Sequence, residues 1–325
     1  MQDSLVFILS ASMIIIAGSA LAVFAEVIVK HTGLGALWFG AVAVALVTSL
    51  PELVTDISAV RRDAVDLALG DLFGSSMANM AILAVVTLVF TTRRLLQRAA
   101  LENVLSAMLA VTLTALALVL ATVDSVPSIG GVGLGSVALA CAYFGGSFAI
   151  RERQESAAVE EDVDIAGGLS LLKAQIGFVV AAAAILAAGP ALARSADGLA
   201  DSTGAGETFF GSVALALVTS LPELSVSVAA LHIRAYNLAV ATLMGSNATN
   251  MALLLPLDAA YSGGSILEHA DAGILAAAGA AIVLTSIGTM TIVLKAERSR
   301  LPVDLAAVLI LAMYALGVWA VYSAS

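Results

Sequence analysis

Long apolar runs, separated by short polar stretches, dominate the chain. Ten of them reach the roughly 20 residues that a helix needs to cross a bilayer, at approximately 5–29, 36–60, 65–90, 100–121, 129–150, 170–193, 207–231, 236–260, 267–294 and 302–322. The expected architecture is an all-α polytopic membrane protein with ten transmembrane helices. The first run has no basic segment before it and is long enough to span by itself, so it reads as a span rather than a cleaved signal. The longest separator, Arg151 to Gly168, contains the acidic cluster Glu160-Glu161-Asp162-Val163-Asp164. It divides the spans five and five, into halves 1–150 and 169–325 with a linker at 151–168.

Composition agrees with a lipid environment. Of 325 residues, 61% are hydrophobic and 12% charged, with mean hydropathy +1.04, whereas a soluble domain carries about a quarter charged residues. A cytosolic enzyme is excluded. One cysteine, Cys141, rules out an internal disulfide, and three histidines rule out a His-rich metal cluster. The net charge of -10 gives no support to nucleic-acid binding, which needs basic clusters.

The basic residues are distributed unevenly. Lys30, Arg93, Arg94, Arg98, Arg151, Arg153, Lys173, Arg234, Lys295, Arg298 and Arg300 follow odd-numbered spans, and only Arg61, Arg62 and Arg194 follow even-numbered ones. Positive charge marks the cytoplasmic side, so both termini are expected outside and the 151–168 loop inside. His31, His232 and His269 sit at expected span ends, and Trp38 and Trp319 fit the aromatic belts of the two interfaces.

The two halves repeat one another. Phe39 to Leu53 recurs as Phe210 to Leu224, and Gly74-Ser75-Ser76-Met77-Ala78-Asn79-Met80-Ala81 faces Gly245-Ser246-Asn247-Ala248-Thr249-Asn250-Met251-Ala252, at a constant offset of 171 residues. From Phe39 to Leu83, 24 of 45 positions are identical. Because each half has an odd number of spans, the second enters the membrane from the opposite face and the repeats are inverted. Such repeats place binding sites near the midplane, where the halves meet. Duplication of a packing unit accounts for repeated Gly and Ala, but not for a glutamate kept at mid-span in both copies.

Those glutamates are Glu52 and Glu223. A carboxylate at that depth is costly unless it meets a cation, a proton or water. Two facing one another need a cation between them or protons upon them. Pro51 and Pro222 lack an N–H, so carbonyls at 45–47 and 216–218 are expected to be partly released. Thr48 and Ser49 precede Glu52 by four and three residues, on its helix face, as Thr219 and Ser220 do for Glu223. A hydroxyl in such a helix commonly bonds back to the carbonyl one turn earlier, yet here four recur in register with two glutamates. In the next span of each half, Ser75 with Asn79 and Ser246 with Asn250 are paired at i and i+4, while Gly74 and Gly245 allow close approach of backbones. The resulting oxygen-only set, with two formal negative charges, suits Ca²⁺ or Na⁺ and not Zn²⁺ or copper.

The paired blocks Thr48-Ser49-Leu50-Pro51-Glu52 with Gly74 to Asn79, and Thr219-Ser220-Leu221-Pro222-Glu223 with Gly245 to Asn250, resemble the two alpha-repeats of the Ca²⁺/cation antiporter superfamily, particularly prokaryotic sodium/calcium exchangers. The repeats would occupy about 36–90 and 207–260. The resemblance implies that Glu52 and Glu223 coordinate Ca²⁺ and share in Na⁺ sites. It adds Thr48, Ser49, Thr219, Ser220, Ser75, Asn79, Ser246 and Asn250 as ligands, with the carbonyls of Ala45 and Ala216. It also implies a prokaryotic plasma membrane location and a gating bundle made by the first and sixth spans. The chain departs from the family in having Ser76 in place of Asn, Asp71 and Thr242 in place of the Asn of a Gly-Asn pair, and Asn250 where some relatives have Asp. Asp56, one turn beyond Glu52, faces only Ser227 in the other repeat.

The expected function is secondary active exchange of Ca²⁺ for Na⁺ by alternating access, with no catalytic residue, no cofactor and no obligate protein partner beyond the ions and the bilayer. A Ca²⁺/H⁺ exchanger using Glu52 and Glu223 as proton acceptors is the nearest alternative. A cation channel would need a continuous pore.

Overall fold

The computed structural model describes residues 2–33, 38–89, 102–123, 127–154, 169–200, 211–261, 263–296 and 303–324. Arg93, Arg94, Arg98, Arg298, Arg300 and the Glu160 to Asp164 cluster lie outside them. Among the described residues eight helices are long and apolar enough to cross a membrane, and two bent helix pairs bring the crossings to as many as ten. In chain order these are α1 (Gln2–Thr32), α2a (Phe39–Thr48) with α2b (Leu50–Val60), α3 (Val65–Val89), α4 (Glu102–Ala121), α5 (Leu134–Gln154), α6 (Leu171–Ala200), α7a (Ser212–Thr219) with α7b (Leu221–His232), α8 (Tyr236–Ala260), α9 (Ala272–Ala296) and α10 (Val303–Ala324). The protein is a polytopic helical membrane protein.

The repeat seen in sequence is carried into the elements. Val65–Val89 and Tyr236–Ala260 are the same length at the same 171-residue offset, and both bent pairs break at equivalent serines, Ser49 and Ser220. Each pair opens with a stretch of π-helix, Phe39–Val44 and Gly211–Leu215. The breaks have a local cause. A proline in the second position of α2b and α7b has no N–H to continue the preceding helix, so the chain bends by 44° at the first break and 47° at the second.

Helices α3 and α8 form the centre. Most of their apolar windows are buried, 83% and 89%, against 22–50% for the other continuous spans. Each packs on the π-helical segment of the opposite half, and two glycines at equivalent positions make this possible. A Cβ at Gly74 would collide with the backbone of Ser212, and a Cβ at Gly245 with the backbone of Ala41. Helices α1 and α6 lie against one another on the outside of this centre, with α1 also on α7b and α6 on α2b. The contact is again made by equivalent glycines: Gly18 sits against Ser225 and the Pro222 carbonyl, and Gly189 against Pro51. Gly18-Ser19-Ala20-Leu21-Ala22 and Gly189-Pro190-Ala191-Leu192-Ala193 are thus a further stretch of the repeat.

Several boundaries differ from expectation, among them the end of the sixth span, which runs to Ala200 and not 193. The fifth span starts at Leu134 and not at 129, because Ser128–Ile129 (β1) and Val132–Gly133 (β2) form a small hairpin. Its turn uses Gly130 and Gly131 at φ 62° and 87°, the left-handed region such two-residue turns require. Asp258 fixes this hairpin to the end of α8 by accepting the Gly133 N–H (2.6 Å), and it also accepts the Ile266 N–H (2.7 Å). The ninth span begins at Ala272 instead of 267, since Ile266–His269 is a short 3₁₀ turn. Asp271 caps α9 by accepting the Ile274 N–H at 2.7 Å. Finally, the spans expected at 36–60 and 207–231 are not continuous helices. Thr48 and Ser49 therefore do not share an unbroken helical face with Glu52, nor Thr219 and Ser220 with Glu223.

Candidate cation site

The two breaks face one another at the centre, against α3 and α8. Glu52 and Glu223 fall in the first turn of α2b and α7b, where the exposed N–H groups and the positive end of the helix dipole favour a negative charge. Both are essentially fully buried, at 1% and 0% exposed. Ser49 and Ser220, at the breaks, have φ/ψ of −85°/5° and −79°/7°, so their side chains leave the α2a and α7a direction.

Contacts run across the halves. Glu223 Oε1 accepts from Ser246 Oγ at 3.0 Å and from Ser49 Oγ of the first half at 3.4 Å. Ser49 Oγ also reaches Ser246 Oγ at 3.4 Å. Thr48 Oγ1 lies 3.4 Å from Ser246 Oγ, and its counterpart Thr219 Oγ1 lies 3.4 Å from Ser75 Oγ. Both threonines also bond back within their own helix, Thr48 to the Ala45 carbonyl (3.0 Å) and Thr219 to the Leu215 carbonyl (3.0 Å) and the Ala216 carbonyl (3.3 Å). The carbonyls of Ala45 and Ala216 accept the Ser49 and Ser220 N–H groups as well, at 3.0 and 3.1 Å. The expected release of these two carbonyls by proline is not what the structure shows: each already holds two donors.

The amides are oriented from behind. Asn79 Nδ2 donates to Asn247 Oδ1 at 2.9 Å, and Asn250 Nδ2 donates to the Leu72 carbonyl at 3.3 Å. Asn247 is itself held by its Nδ2, to the Ser76 carbonyl and to Thr285 Oγ1, both at 3.2 Å. With the nitrogens engaged, Asn79 Oδ1 and Asn250 Oδ1 are left without a hydrogen-bond partner, as are Glu52 Oε2, Glu223 Oε2 and Ser220 Oγ. Leaving a buried acceptor unsatisfied costs about 1–3 kcal/mol, and more for a charged one. Four of these, the carboxylate and amide oxygens on α2b, α3, α7b and α8, are acceptors that lack donors, the condition a cation meets; the Ser220 hydroxyl is donor and acceptor alike.

All twelve residues singled out in the sequence lie on α2a, α2b, α3, α7a, α7b, α8 or the two breaks, and the hydrogen bonds link Thr48, Ser49, Glu223 and Ser246 in one group and Ser75 and Thr219 in another. No Lys or Arg side chain is buried among the described residues, so no fixed cation neutralises the acids. No three Asp, Glu, His or Cys side chains are grouped in metal-binding geometry among those residues, so an ion here would draw on hydroxyl and amide oxygens as well as carboxylates. Sequence reasoning missed the role of Asn247, whose amide locks Asn79. The available signal was that Asn247, an amide opposite Ser76, sits inside the block one residue after the repeated serine. Asp56 and Asp71, both 0% exposed, were noticed as departures but not placed; Asp71 Oδ1 accepts from Thr219 Oγ1 at 3.0 Å.

The family model of the sodium/calcium exchanger protein matches residues 4–147 and 173–323. The chain belongs to the sodium/calcium exchanger family. Among solved structures it is similar to the sodium-calcium exchanger NCX_Mj, which was soaked with different ions. Against the form soaked with 2.5 mM Na⁺ and 10 mM Sr²⁺ the TM-score is 0.70 at 17% identity, covering 98% of both chains. Against that soaked with 2.5 mM Na⁺ and 0.1 mM Ca²⁺ it is 0.70 at 16% identity, also over 98% of both. For the form with zero Na⁺ and Ca²⁺ it is 0.66 at 18% identity, over 97% of each. At these identities the likeness establishes the exchanger fold across the chain. No curated protein sequence matches it significantly.

Proposed function

We propose that the protein is a secondary active antiporter that exchanges Ca²⁺ for Na⁺ around the oxygens gathered at the two helix breaks. The observation that carries this reading is the set of buried acceptors without donors, Glu52 Oε2, Glu223 Oε2, Asn79 Oδ1 and Asn250 Oδ1, with the unpartnered Ser220 hydroxyl beside them, in a chain of the sodium/calcium exchanger family. Thr48, Ser49, Thr219, Ser75 and Ser246 supply hydroxyl oxygens beside them, and the Ala45 and Ala216 carbonyls join once their local donors turn away. Ca²⁺ takes six to eight oxygens at 2.3–2.6 Å, preferably with carboxylates among them. Two glutamates match its charge. Na⁺ uses the same hard donors with half the charge, so the two ions compete for overlapping ligands.

Competition becomes coupling through the fold. The halves 1–150 and 169–325 act as inverted repeats, and α1 with α6 slides across the α2b and α7b surfaces on the Gly18 and Gly189 contacts, opening the site to one face at a time. An empty site holds two uncompensated carboxylates near one another, which opposes the closed, dry intermediate; a loaded site neutralises them and permits it. The termini lie outside, the 151–168 loop inside, in a prokaryotic plasma membrane. NCX_Mj was soaked with Na⁺, Ca²⁺ and Sr²⁺, which supports the same ion class here.

The test is ⁴⁵Ca²⁺ uptake into proteoliposomes driven by an outward Na⁺ gradient, an outward H⁺ gradient, or neither. Uptake is expected with the Na⁺ gradient alone. Uptake with H⁺ alone assigns the glutamates to proton exchange, and uptake with no counter-gradient assigns a channel.

A further inference from the structure

The two amides at the centre are held in different ways. At the 171-residue offset Asn79 corresponds to Asn250, Ser76 to Asn247 and Thr114 to Thr285. In the first half the two hydroxyls close upon their own helices: Ser76 Oγ donates to the Leu72 carbonyl at 3.1 Å, and Thr114 Oγ1, on α4, to the Ala110 carbonyl at 2.8 Å. Asn250 Nδ2 donates to that same Leu72 carbonyl. The support behind Asn250 thus ends on the backbone of α3.

Behind Asn79 the support continues through side chains. Asn79 Nδ2 donates to Asn247 Oδ1 at 2.9 Å, and Asn247 Nδ2 donates to the Ser76 carbonyl and to Thr285 Oγ1, each at 3.2 Å. All three side chains are buried, Thr285 being 3% exposed. Thr285 lies on α9, which packs on α3, α4 and α10 and carries none of the proposed ligands. A carbonyl only accepts, so Ser76 fixes which end of the Asn247 amide faces it. The Asn247 oxygen is then turned to Asn79, which must answer with its nitrogen, and Asn79 Oδ1 is the atom left without a partner. One acceptor sets this polarity. Two acceptors on the same nitrogen also set the plane of the amide, and the second of them is Thr285.

We propose that Thr285 is a positioning residue for cation binding, which through Asn247 holds the Asn79 amide oxygen in the orientation that meets the ion. The proposal rests on Asn79 Oδ1 being a ligand of the central site. Without the Thr285 hydroxyl one Asn247 N–H is buried with no acceptor, an unfavourable state that the amide relieves by swinging about its Cβ–Cγ bond. Turning end for end is closed to it, since its oxygen would then face the Ser76 carbonyl. The swing displaces the acceptor of Asn79 and loosens a ligand two hydrogen bonds away from Thr285. Thr114 has no such link and no influence on the ion.

The repeat supplies the control. Purified wild type, Thr285→Val, Thr285→Ser and Thr114→Val are titrated with ⁴⁵Ca²⁺ in the absence of Na⁺ and assayed for Na⁺-driven uptake. Valine keeps the shape of threonine and removes the hydroxyl. Thr285→Val is expected to weaken Ca²⁺ binding about tenfold, and to raise the Ca²⁺ concentration for half-maximal uptake while leaving the saturated rate within about twofold. Thr285→Ser, which restores the acceptor, and Thr114→Val are expected to match wild type. Unchanged binding by Thr285→Val overturns the proposal. So does an equal loss in Thr285→Ser or in Thr114→Val, which marks packing and not the hydroxyl. Should the valine variant fail to fold, Thr285→Ala takes its place, with the same loss expected. In an Asn79→Ala background Thr285→Val is expected to cause no further loss, and an added loss overturns the relay. Asn79→Ala also separates the proposal from the reading it rests on. If Asn79→Ala alone keeps its ⁴⁵Ca²⁺ affinity, Asn79 is no ligand and both fail; a loss in Asn79→Ala with none in Thr285→Val removes the role of Thr285 alone.

Discussion

Glu52 and Glu223 occupy equivalent positions but unequal surroundings. Glu223 Oε1 is held by two serine hydroxyls, one from each half, while the serines equivalent to these, Ser75 and Ser220, give Glu52 nothing. Glu223 Oε1 is thus held from both halves, while Glu52 Oε2 has no hydrogen-bond partner; in the proposed cycle it is Glu52 that closes on the ion. Glu223→Gln and Glu52→Gln should each reduce Na⁺-driven Ca²⁺ uptake at least about 100-fold, since each removes a charge-matched ligand from a buried site; uptake assays on both variants check this. Asn247 acts one step back. Outer-sphere partners of a metal ligand typically contribute about 10–100-fold in affinity, so Asn247→Ala should weaken Ca²⁺ binding by about that factor while the protein still folds, measured by calorimetric titration. The glutamates, hydroxyls and Asn79 and Asn250 were legible because the repeat doubled them. The direction of each bond was not, since it depends on which half a neighbour comes from.

At the scale of elements, the breaks at Ser49 and Ser220 decide the site. Proline placed them, and sequence reasoning saw the prolines yet treated each span as one helix, so it put Thr48 and Glu52 on a common face. Periodicity carried no warning, because apolar residues continue through the bend. Spans α3 and α8 were read almost to the residue, as Gly, Ser and Asn in a largely buried helix still leave its ends marked by Asp63-Ala64 and Arg234-Ala235. The hairpin before α5 was missed because Gly130 and Gly131 sit within an apolar stretch. Gly74 and Gly245 bring α3 and α8 onto the backbone of the opposite repeat, and the pair of contacts is symmetric. Gly74→Ala and Gly245→Ala should each destabilise the detergent-solubilised protein by about 1–3 kcal/mol through overpacking, seen as a lower thermal midpoint that Ca²⁺ no longer fully restores.

At the scale of the molecule, two layers with different duties emerge. The centre, α3 and α8 with the half-helices, carries the proposed ligands; α1 and α6 lie across it, each on the half-helix of the other repeat. Gly189→Ala, which sets a methyl against Pro51, should slow exchange several-fold while leaving equilibrium Ca²⁺ binding within about twofold, a split that marks a sliding contact and not a ligand. The proposed orientation is open to labelling. Arg62→Cys is expected to react with an impermeant thiol reagent from outside and Lys30→Cys only after permeabilisation, in a Cys141→Ala background. The central claim is that Ca²⁺ and Na⁺ share one set of oxygens between the two glutamates. The most direct measurement is anomalous diffraction from crystals soaked in Sr²⁺, as a Ca²⁺ substitute, at low and at high Na⁺. The account predicts a peak between the Glu52 and Glu223 carboxylates at low Na⁺ that disappears at high Na⁺. A peak elsewhere, or one that Na⁺ does not displace, would contradict it.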